Sequence, residues 1–220
     1  MTRIFSLSNQ KGGVGKTTTT VNVATALAAL RKKVLIIDLD PQGNATVSLG
    51  VQRRQGGQNS YTVLMGRYQA SESIVKTDIP FLYVLPASQE LLGVDLELAG
   101  VEKPQFFLKK ALSSLTDFDY IFIDCPPAVG LLTLNALVAS TAVIIPVQCE
   151  YLALEGVADL MKTIEKVKKN FNPTLKIDGI VMTMFDGRSR LSRSVDNDVR
   201  SFFKDLVYDT VIPRNVRIPE

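Results

Sequence analysis

Hydrophobic positions alternate along this chain between two kinds of segment. Short runs of consecutive apolar residues, such as 34–37, have the pattern of strands that are buried on both faces. Longer segments with apolar residues three and four positions apart, such as 17–30, have the pattern of helices with one buried side. The pattern predicts strands over 3–8, 34–37, 81–85, 120–123, 141–147, 177–184 and 207–212, and helices over 17–30, 104–115, 131–139, 154–170 and 192–206.

This order of elements predicts an α/β fold with a mostly parallel, twisted sheet and helices on both of its faces. The segment 52–60 is polar and contains glycine, so a surface loop is expected there. Because no internal repeat or break in composition occurs, a single domain over residues 1–220 is predicted. No closing helix is predicted before Glu220, which leaves open that the natural chain continues past it.

Composition narrows the possible chemistry. The chain has 220 residues, of which 46% are hydrophobic and 21% charged, as in ordinary globular domains. No apolar run approaches the roughly 20 residues of a membrane span, and no signal-peptide pattern is present, so a cytoplasmic protein is expected. The absence of histidine excludes catalytic triads and histidine bases. Cys125 and Cys149 are not in a CxxC pair and are predicted to be buried thiols.

The segment after the first predicted strand, residues 9–18, is NQKGGVGKTT and leads directly into a predicted helix. Glycines let the backbone amides of such a loop converge on an anion, and the helix N-terminus adds the positive end of its dipole. Lys16 is expected to reach the β- and γ-phosphates, and the Thr17 hydroxyl to ligate Mg²⁺. The predicted nucleotide-binding residues of this P-loop are Lys11, Gly12, Gly13, Val14, Gly15, Lys16, Thr17 and Thr18.

Acidic residues follow two other predicted strands. Asp38 and Asp40 stand two positions apart at the end of the second strand, where their side chains project toward the same side. Asp124 ends the apolar run 120–123, which is the Walker B pattern of a residue that holds hydrated Mg²⁺. The residues alone leave open that Asp38 only caps a turn.

The P-loop departs from the G-x-x-x-x-G-K-[ST] pattern, because Gln10 occupies the first glycine position and Lys11 is an additional lysine. This deviant form resembles that of the ParA/MinD group of ATPases. The resemblance implies that Lys11 reaches across a dimer interface to the partner's nucleotide, as an arginine finger does. It also implies that Asp40 positions water and that Asp38 supports the Mg²⁺ shell. The predicted catalytic residues are therefore Lys11, Lys16 and Asp40, and the predicted metal residues are Thr17, Asp38 and Asp124.

The base and the dimer contacts are also assigned by this resemblance. No Asn-Lys-x-Asp stretch of the kind that recognises guanine is present, so ATP is the expected nucleotide. In ParA-type proteins the stretch that matches 213–215 lies beside the adenine, which makes Pro213 and Asn215 candidate base contacts. Gln148 and Glu150 follow a strand end and are candidates for dimer contacts, with a plain surface loop as the alternative.

The resemblance to ParA/Soj-type partitioning ATPases spans nearly the whole chain. It is carried in order by QKGGVGKTTT, DLDPQGNAT, FIDCPP, PVQCEYLALEG, MFDGRSRLS and IPRNVR. It implies a homodimer formed on binding ATP and Mg²⁺, non-specific binding to double-stranded DNA, nucleoid association and a ParB-type partner that stimulates slow hydrolysis. The alternatives are a membrane-associated ATPase of the MinD type and a metabolic enzyme that uses the same fold for phosphoryl or amide-forming chemistry. No membrane partner is expected.

A group of arginines late in the chain supports the DNA expectation. Arginines contact phosphates without reading sequence, and each contact adds salt-sensitive affinity. The alternative is a solvated face in which these arginines pair with Asp186, Asp196 and Asp198. The predicted DNA-binding residues are Arg188, Arg190, Arg193 and Arg217, with Arg200 and Arg214 in the same group.

Overall fold

The computed structural model describes residues 2–53, 55–151 and 153–215. Over these residues it contains one 8-stranded sheet in the order β3-β4-β2-β5-β1-β6-β7-β8. The short strand β3 is antiparallel to β4, and the other neighbours are parallel. The strands are β1 (Arg3–Leu7), β2 (Val34–Asp38), β3 (Val75–Lys76), β4 (Leu82–Leu85), β5 (Tyr120–Asp124), β6 (Ala142–Gln148), β7 (Lys176–Phe185) and β8 (Val207–Pro213).

Helices connect these strands. The α-helices are α1 (Lys16–Ala29), α2 (Asn44–Ser48), α3 (Ser60–Leu64), α4 (Ala70–Ser73), α5 (Val94–Glu97), α6 (Phe107–Leu112), α7 (Leu131–Ala139), α8 (Ala153–Asn170) and α9 (Arg190–Phe203). Single 3₁₀ turns occupy Gln89–Gly93, Pro104–Phe106 and Lys204–Leu206. None of the helices among the described residues is both long enough and apolar enough to cross a membrane.

The sheet has a hydrophobic core on each face. Along β2, Val34 and Ile36 pack with α1 and α2 on one face, whereas Leu35 and Ile37 pack on the other. Successive strand residues point to opposite faces, so a strand covered on both sides must be continuously apolar, as 34–37 is. The predicted α/β fold, with a mostly parallel sheet and helices on both faces, is confirmed.

The long elements lie within a few residues of their predicted bounds, but several short elements were not predicted. The expected helix over 104–115 begins as a 3₁₀ turn and ends at Leu112, and the expected loop over 52–60 ends where α3 begins. The prediction did not include β3, α2, α3, α4 or α5. Helices of four or five residues carry no periodic signal, because only tertiary contacts stabilise helices this short.

The strand order gathers the carboxyl ends of the central strands at one place. The neighbours of β1 are β5 on one side and β6 on the other. In the register of the sheet, Asp124 lies opposite Leu7 on β1 and opposite Asp38 on β2. Ligands of open α/β sheets bind at such a point, where connections from the central strand diverge in opposite directions. The predicted P-loop and all three predicted carboxylates therefore belong to one edge of the sheet.

Two buried polar side chains give a test of this packing. Asn172 donates through Nδ2 to the carbonyls of Leu137, Val138 and Ser140, at 3.1, 3.2 and 2.8 Å, and so fixes the end of α7. Ser6 is fully buried in β1, and among the described residues its Oγ is a buried side-chain oxygen without a hydrogen-bond partner.

We expect Asn172→Ala to lower the free energy of unfolding by about 1–3 kcal/mol, because buried carbonyls lose their donor. Ser6→Ala is expected to be neutral or slightly stabilising, because it removes an unpaired buried hydroxyl. Thermal unfolding of the two variants beside the wild type measures the difference. A larger loss for Ser6→Ala than for Asn172→Ala would contradict this description of the core.

Candidate functional site

The loop between β1 and α1 presents a row of unused backbone donors. Gly13 and Gly15 have φ of 71° and 83°, a left-handed conformation that favours glycine. The amides from Gly12 to Thr18 donate to no acceptor among the described residues. Groups of free N–H donors at a helix N-terminus are a binding site for an anion. The loop therefore has the geometry that a polyphosphate requires.

The two lysines of the loop have different surroundings. Lys16 is only 7% exposed, and its Nζ donates to the carbonyl of Lys11 at 3.0 Å. The Lys11 side chain is 50% exposed and forms an ion pair with Glu150, which follows β6. Burial lowers the pKa of Lys16 from its ordinary value, while the neighbouring Asp124 opposes that shift. One ammonium thus lies inside the loop and the other on the surface.

Two side chains that the sequence did not single out hold this loop in place. Asn9 donates to the carbonyl of Pro146 at 2.7 Å and accepts from the amide of Lys11 at 3.0 Å, which ties the start of the loop to β6. Thr183 on β7 donates to the carbonyl of Val14 at 2.8 Å. An asparagine beside the loop motif could have been suspected from the sequence, but Thr183 lies far along the chain.

The structure brings two predicted metal residues into direct contact. Thr17 donates to Oδ2 of Asp124 at 2.7 Å, and Thr20, one turn further along α1, donates to Oδ1 at 3.1 Å. A hydroxyl and a carboxylate are hard oxygen ligands of the kind that Mg²⁺ takes. The described residues contain no group of three or more His, Cys, Asp or Glu arranged for a metal ion. Such a site fits Mg²⁺ held by one or two protein oxygens together with phosphates and water.

The third predicted metal residue, Asp38, is surrounded by donors from the protein itself. Its Oδ1 accepts from the amide of Asp40 at 3.1 Å. Its Oδ2 accepts from the amide and the hydroxyl of Thr46 at 2.8 and 2.6 Å. Asp38 therefore has the surroundings of a residue that closes the turn after β2, which was the alternative left open by the sequence, and its place in the Mg²⁺ shell stays a prediction.

Burial and neighbouring charge raise the pKa of both buried carboxyls. Burial, followed by the charge of Asp38, raises the pKa of Asp124, and burial raises the pKa of Asp38. Both side chains are fully buried, and they face each other across neighbouring strands. Without a cation, ionising both is unfavourable, because burial and like charge both disfavour the charged form. The residues thus fit a bound divalent cation.

Asp40 lies in the turn beside these groups. Its Oδ1 accepts from the amide of Gln42 at 2.9 Å, and the side chain is 8% exposed. Gly43 closes the turn with φ of 65°, and a Cβ there would lie 2.8 Å from the Arg53 side chain. The positive φ favours glycine at this position, whereas the exposed Arg53 side chain could move to make room for a Cβ. The water-positioning role of Asp40 remains a prediction.

A cavity of about 360 Å³ lies beside one of the two predicted base contacts. Pro213 lies on its wall, and Asn215 follows two residues later. The other lining residues are Phe185, Asp186, Gly187, Arg188 and Arg214. Three of these six lining residues are charged and only Phe185 and Pro213 are apolar, so the assignment of Pro213 and Asn215 as base contacts stays a prediction.

The late arginines divide into two groups. Arg188 donates to both carboxylate oxygens of Asp186 at 3.1 Å, and Arg200 pairs with Asp196, so for these two the alternative of a paired face is observed. Arg190 and Arg193 are exposed on α9 and form no ion pair with any residue that the structure describes. Arg214 is exposed beside the cavity. The predicted residue Arg217 lies outside the described residues.

The two cysteines are buried and free, as predicted. Burial raises the pKa of the Cys125 thiol far above its ordinary value, and it raises that of Cys149 to about 11. Thiols held in the neutral form are poor nucleophiles and poor metal ligands.

The glycine-rich loop opening α1, with Thr17 and Asp124 in contact, defines a P-loop nucleotide-binding protein. A family model described as an AAA domain matches residues 2–177. The chromosome partitioning protein ParA of Caulobacter vibrioides is 49% identical over 221 residues, which cover 99% of this chain and 83% of that protein. The chromosome-partitioning ATPase Soj of Thermus thermophilus is 47% identical over 218 residues, which cover 99% and 84%.

A solved structure, described as cobyrinic acid a,c-diamide synthase from Mycobacterium smegmatis with bound ADP and magnesium, matches with a TM-score of 0.92 and 42% identity. The match covers 98% of this chain and 88% of that one. Its ligands are an adenine nucleotide and magnesium, the kind of cofactors predicted here from the loop and the aspartates. The chain belongs to the ParA/Soj family of partitioning P-loop ATPases.

We expect Asp124→Asn to stabilise the protein at pH 8 in the absence of nucleotide and Mg²⁺. Because the folded-state pKa of Asp124 is raised, its ionisation costs stability as the pH rises above the ordinary carboxyl range. The neutral amide escapes that cost, so Tm should rise by about 2–4 °C for each kcal/mol recovered. Thermal unfolding at pH 5 and pH 8 measures this, and the gain should shrink at pH 5. An equal gain at both values would contradict the assignment.

Proposed function

We propose that this protein is an ATP- and Mg²⁺-dependent ATPase that forms a homodimer on binding ATP. In this proposal the dimer binds double-stranded DNA without sequence preference and acts in chromosome or plasmid partitioning. A ParB-type partner stimulates its slow hydrolysis, and the protein is cytoplasmic and associated with the nucleoid. The observation that carries the proposal is the division between a buried and an exposed lysine in one phosphate loop.

That division supports two different roles. Lys16 is buried at the start of α1, so its ammonium faces the space enclosed by its own loop. The Lys11 ammonium is on the outer surface, where it meets Glu150 rather than the loop interior. A cation at the rim of a phosphate site can serve a nucleotide bound by a second subunit. The exposure of Lys11 supports that role, and the burial of Lys16 supports a role toward the nucleotide of its own subunit.

The pair between Lys11 and Glu150 is compatible with such an exchange. Both side chains are close to half exposed, and ion pairs with this exposure contribute little to stability. A phosphate of a second subunit's nucleotide would present Lys11 with a stronger, charge-assisted acceptor. Glu150 would then hold Lys11 in the free subunit and release it in the dimer.

The chain's own groups account for the hydrolysis in this proposal. Bound Mg²⁺ would neutralise charge on the phosphate oxygens, with Thr17 and Asp124 placed to hold it. The amides from Gly12 to Thr18 hold the phosphates in position, and Lys16 offsets their negative charge. Asp40 orients the attacking water from the turn after β2. Positioning and electrostatics together are what phosphoryl transfer requires of a protein.

The exposed arginines support the DNA contact. Arg190 and Arg193 stand on the first turns of α9, close in the chain to the cavity proposed for the base. Cations without a carboxylate partner can neutralise phosphates and release counterions. Arg188 can join them only by leaving Asp186. The DNA face proposed here therefore centres on α9 and Arg214.

The description of the Mycobacterium structure as a diamide synthase points to a different activity, namely amide formation. The partitioning function is preferred because the curated relatives with higher identity, 49% and 47%, carry that name. The membrane-associated alternative is separable by sedimentation with ATP, because binding to liposomes and not to plasmid DNA would favour it.

We expect Lys11→Ala to bind ATP normally but to remain monomeric, because its own nucleotide is held by Lys16 and the loop amides. Lys16→Ala should lose ATP binding by about two orders of magnitude or more, since a charge-assisted contact to phosphate disappears. Light scattering after size exclusion, with ATP, ADP or no nucleotide, gives the mass, and calorimetry gives the affinity.

Glu150→Gln is the companion variant in this experiment. It frees Lys11 without removing the lysine, so it should dimerise with ATP at least as readily as the wild type. A wild type that stays monomeric with ATP at all concentrations, or a Lys11→Ala variant that dimerises fully, would contradict the cross-subunit role.

We expect Arg193→Glu to weaken DNA binding while sparing ATP binding. Loss of one phosphate contact should reduce the salt slope of log affinity by about 1. Lys32→Glu is the matched control, because this exposed lysine lies before β2, at the amino end of the strands, whereas α9 begins after the carboxyl end of β7. Titrations of fluorescent DNA at several salt concentrations measure the slope. An unchanged slope for Arg193→Glu, or an equal change for Lys32→Glu, would exclude the α9 surface.

A further inference from the structure

The buried residue Thr46 lies in α2, just after the turn that follows β2, and hydrogen-bonds back to Asp38. Its hydroxyl donates to Oδ2 of Asp38 at 2.6 Å, and its amide donates to the same oxygen at 2.8 Å. The hydroxyl also accepts from the amide of Ala87 at 2.9 Å. Thr46 and Asp38 are both fully buried. A single hydroxyl therefore joins a buried carboxylate to the segment that follows β4.

The other oxygen of Asp38 fixes the residue proposed to orient water. Oδ1 of Asp38 accepts from the amide of Asp40 at 3.1 Å. Oδ1 of Asp40 in turn accepts from the amide of Gln42 at 2.9 Å, and the Asp40 carbonyl accepts from the amide of Gly43 at 2.8 Å. The position of Asp40 thus depends on the orientation of the Asp38 carboxylate.

Thr46 anchors this arrangement to the sheet as well as closing a local turn. Ala87 follows β4, which pairs with β2 along the same edge. The chain of hydrogen bonds runs from Ala87 through Thr46 and Asp38 to Asp40. Without the hydroxyl, the buried amide of Ala87 loses its acceptor and Oδ2 of Asp38 keeps only the amide of Thr46 as a donor.

We propose that Thr46 is a positioning residue for ATP hydrolysis, which it supports by holding Asp40 in place through Asp38. This inference rests on the proposed ATPase function. The proposed role can be distinguished from one in nucleotide binding, because Thr46 touches neither the P-loop nor the residues proposed to bind the nucleotide directly. Its loss should therefore slow turnover and leave nucleotide binding intact.

The test compares Thr46→Val, which keeps the shape and removes the hydroxyl, with Thr46→Ser, which keeps the hydroxyl. We expect Thr46→Val to lower kcat by about ten- to a hundredfold, with the ATP dissociation constant within about twofold of wild type. Thr46→Ser should restore most of kcat. Thr46→Ala serves as the second hydroxyl-free variant if valine prevents folding.

Thr62→Val is the matched control. Like the Thr46 hydroxyl, the Thr62 hydroxyl both donates and accepts: it donates to the carbonyl of Gly57 at 2.7 Å and accepts from the amide of Asn59 at 3.1 Å, but it does not touch Asp38. Thermal unfolding shows whether the two variants lose similar stability. Equal slowing of Thr62→Val and Thr46→Val, or wild-type kcat in Thr46→Val, would overturn the proposal.

Hydrogen exchange of the Asp40 and Gln42 amides, without nucleotide, separates this inference from the proposed function. Faster exchange in Thr46→Val but not in Thr62→Val supports the role of Thr46 in holding the turn, even if the wild type hydrolyses no ATP. In that case the ATPase proposal fails by itself. Unchanged exchange in Thr46→Val overturns the positioning role whatever the wild-type activity.

Discussion

The structure of the site depends on two aspartates, Asp38 and Asp124, which are fully buried on neighbouring strands at the carboxyl edge of the sheet. The parallel register of β2 and β5 places them opposite each other. Hydroxyls and amides from the neighbouring segments surround them as donors, and the ammonium of Lys16 lies in the same buried region. Because burial and like charge both disfavour ionisation, a bound cation would favour the charged form of these carboxylates. The fold therefore places two buried carboxylates, which favour a nearby cation, beside a loop of backbone amides, which favours an anion.

The two aspartates accept hydrogen bonds from different parts of the chain. Asp124 takes its donors from Thr17 and Thr20 on α1, so its state is linked to the P-loop. Asp38 takes its donors from Thr46 and Asp40, so its state is linked to the turn after β2. In the proposed function, nucleotide and Mg²⁺ bound at Asp124 would also change the electrostatic environment of Asp38. The same edge of the sheet would then couple binding to the position of the attacking water.

Much of the site was predictable because its motifs are contiguous in the chain. The P-loop, Asp38, Asp40 and Asp124 each follow a buried strand, and parallel strands bring their carboxyl ends to one edge. Thr46 and Thr183 were missed, since the motif that contains Thr46 does not show which group its hydroxyl contacts, and Thr183 lies in a strand far along the chain from the P-loop. The pairing of Arg188 with Asp186 was only one of two alternatives, because charges two residues apart can face either solvent or each other.

The sequence by itself determined the order of elements, the α/β class and the anion-binding loop, because periodicity and glycine placement act over a few neighbouring residues. Tertiary structure decided which donors each buried carboxylate receives, which of the two lysines is buried, and which arginine of α9 pairs with an aspartate. These outcomes depend on segments that are distant in the chain, as the bonds from Thr17 to Asp124 and from Thr46 to Ala87 illustrate. Their energies come from burial and from the exact distance between atoms, and both exist only once the sheet has formed.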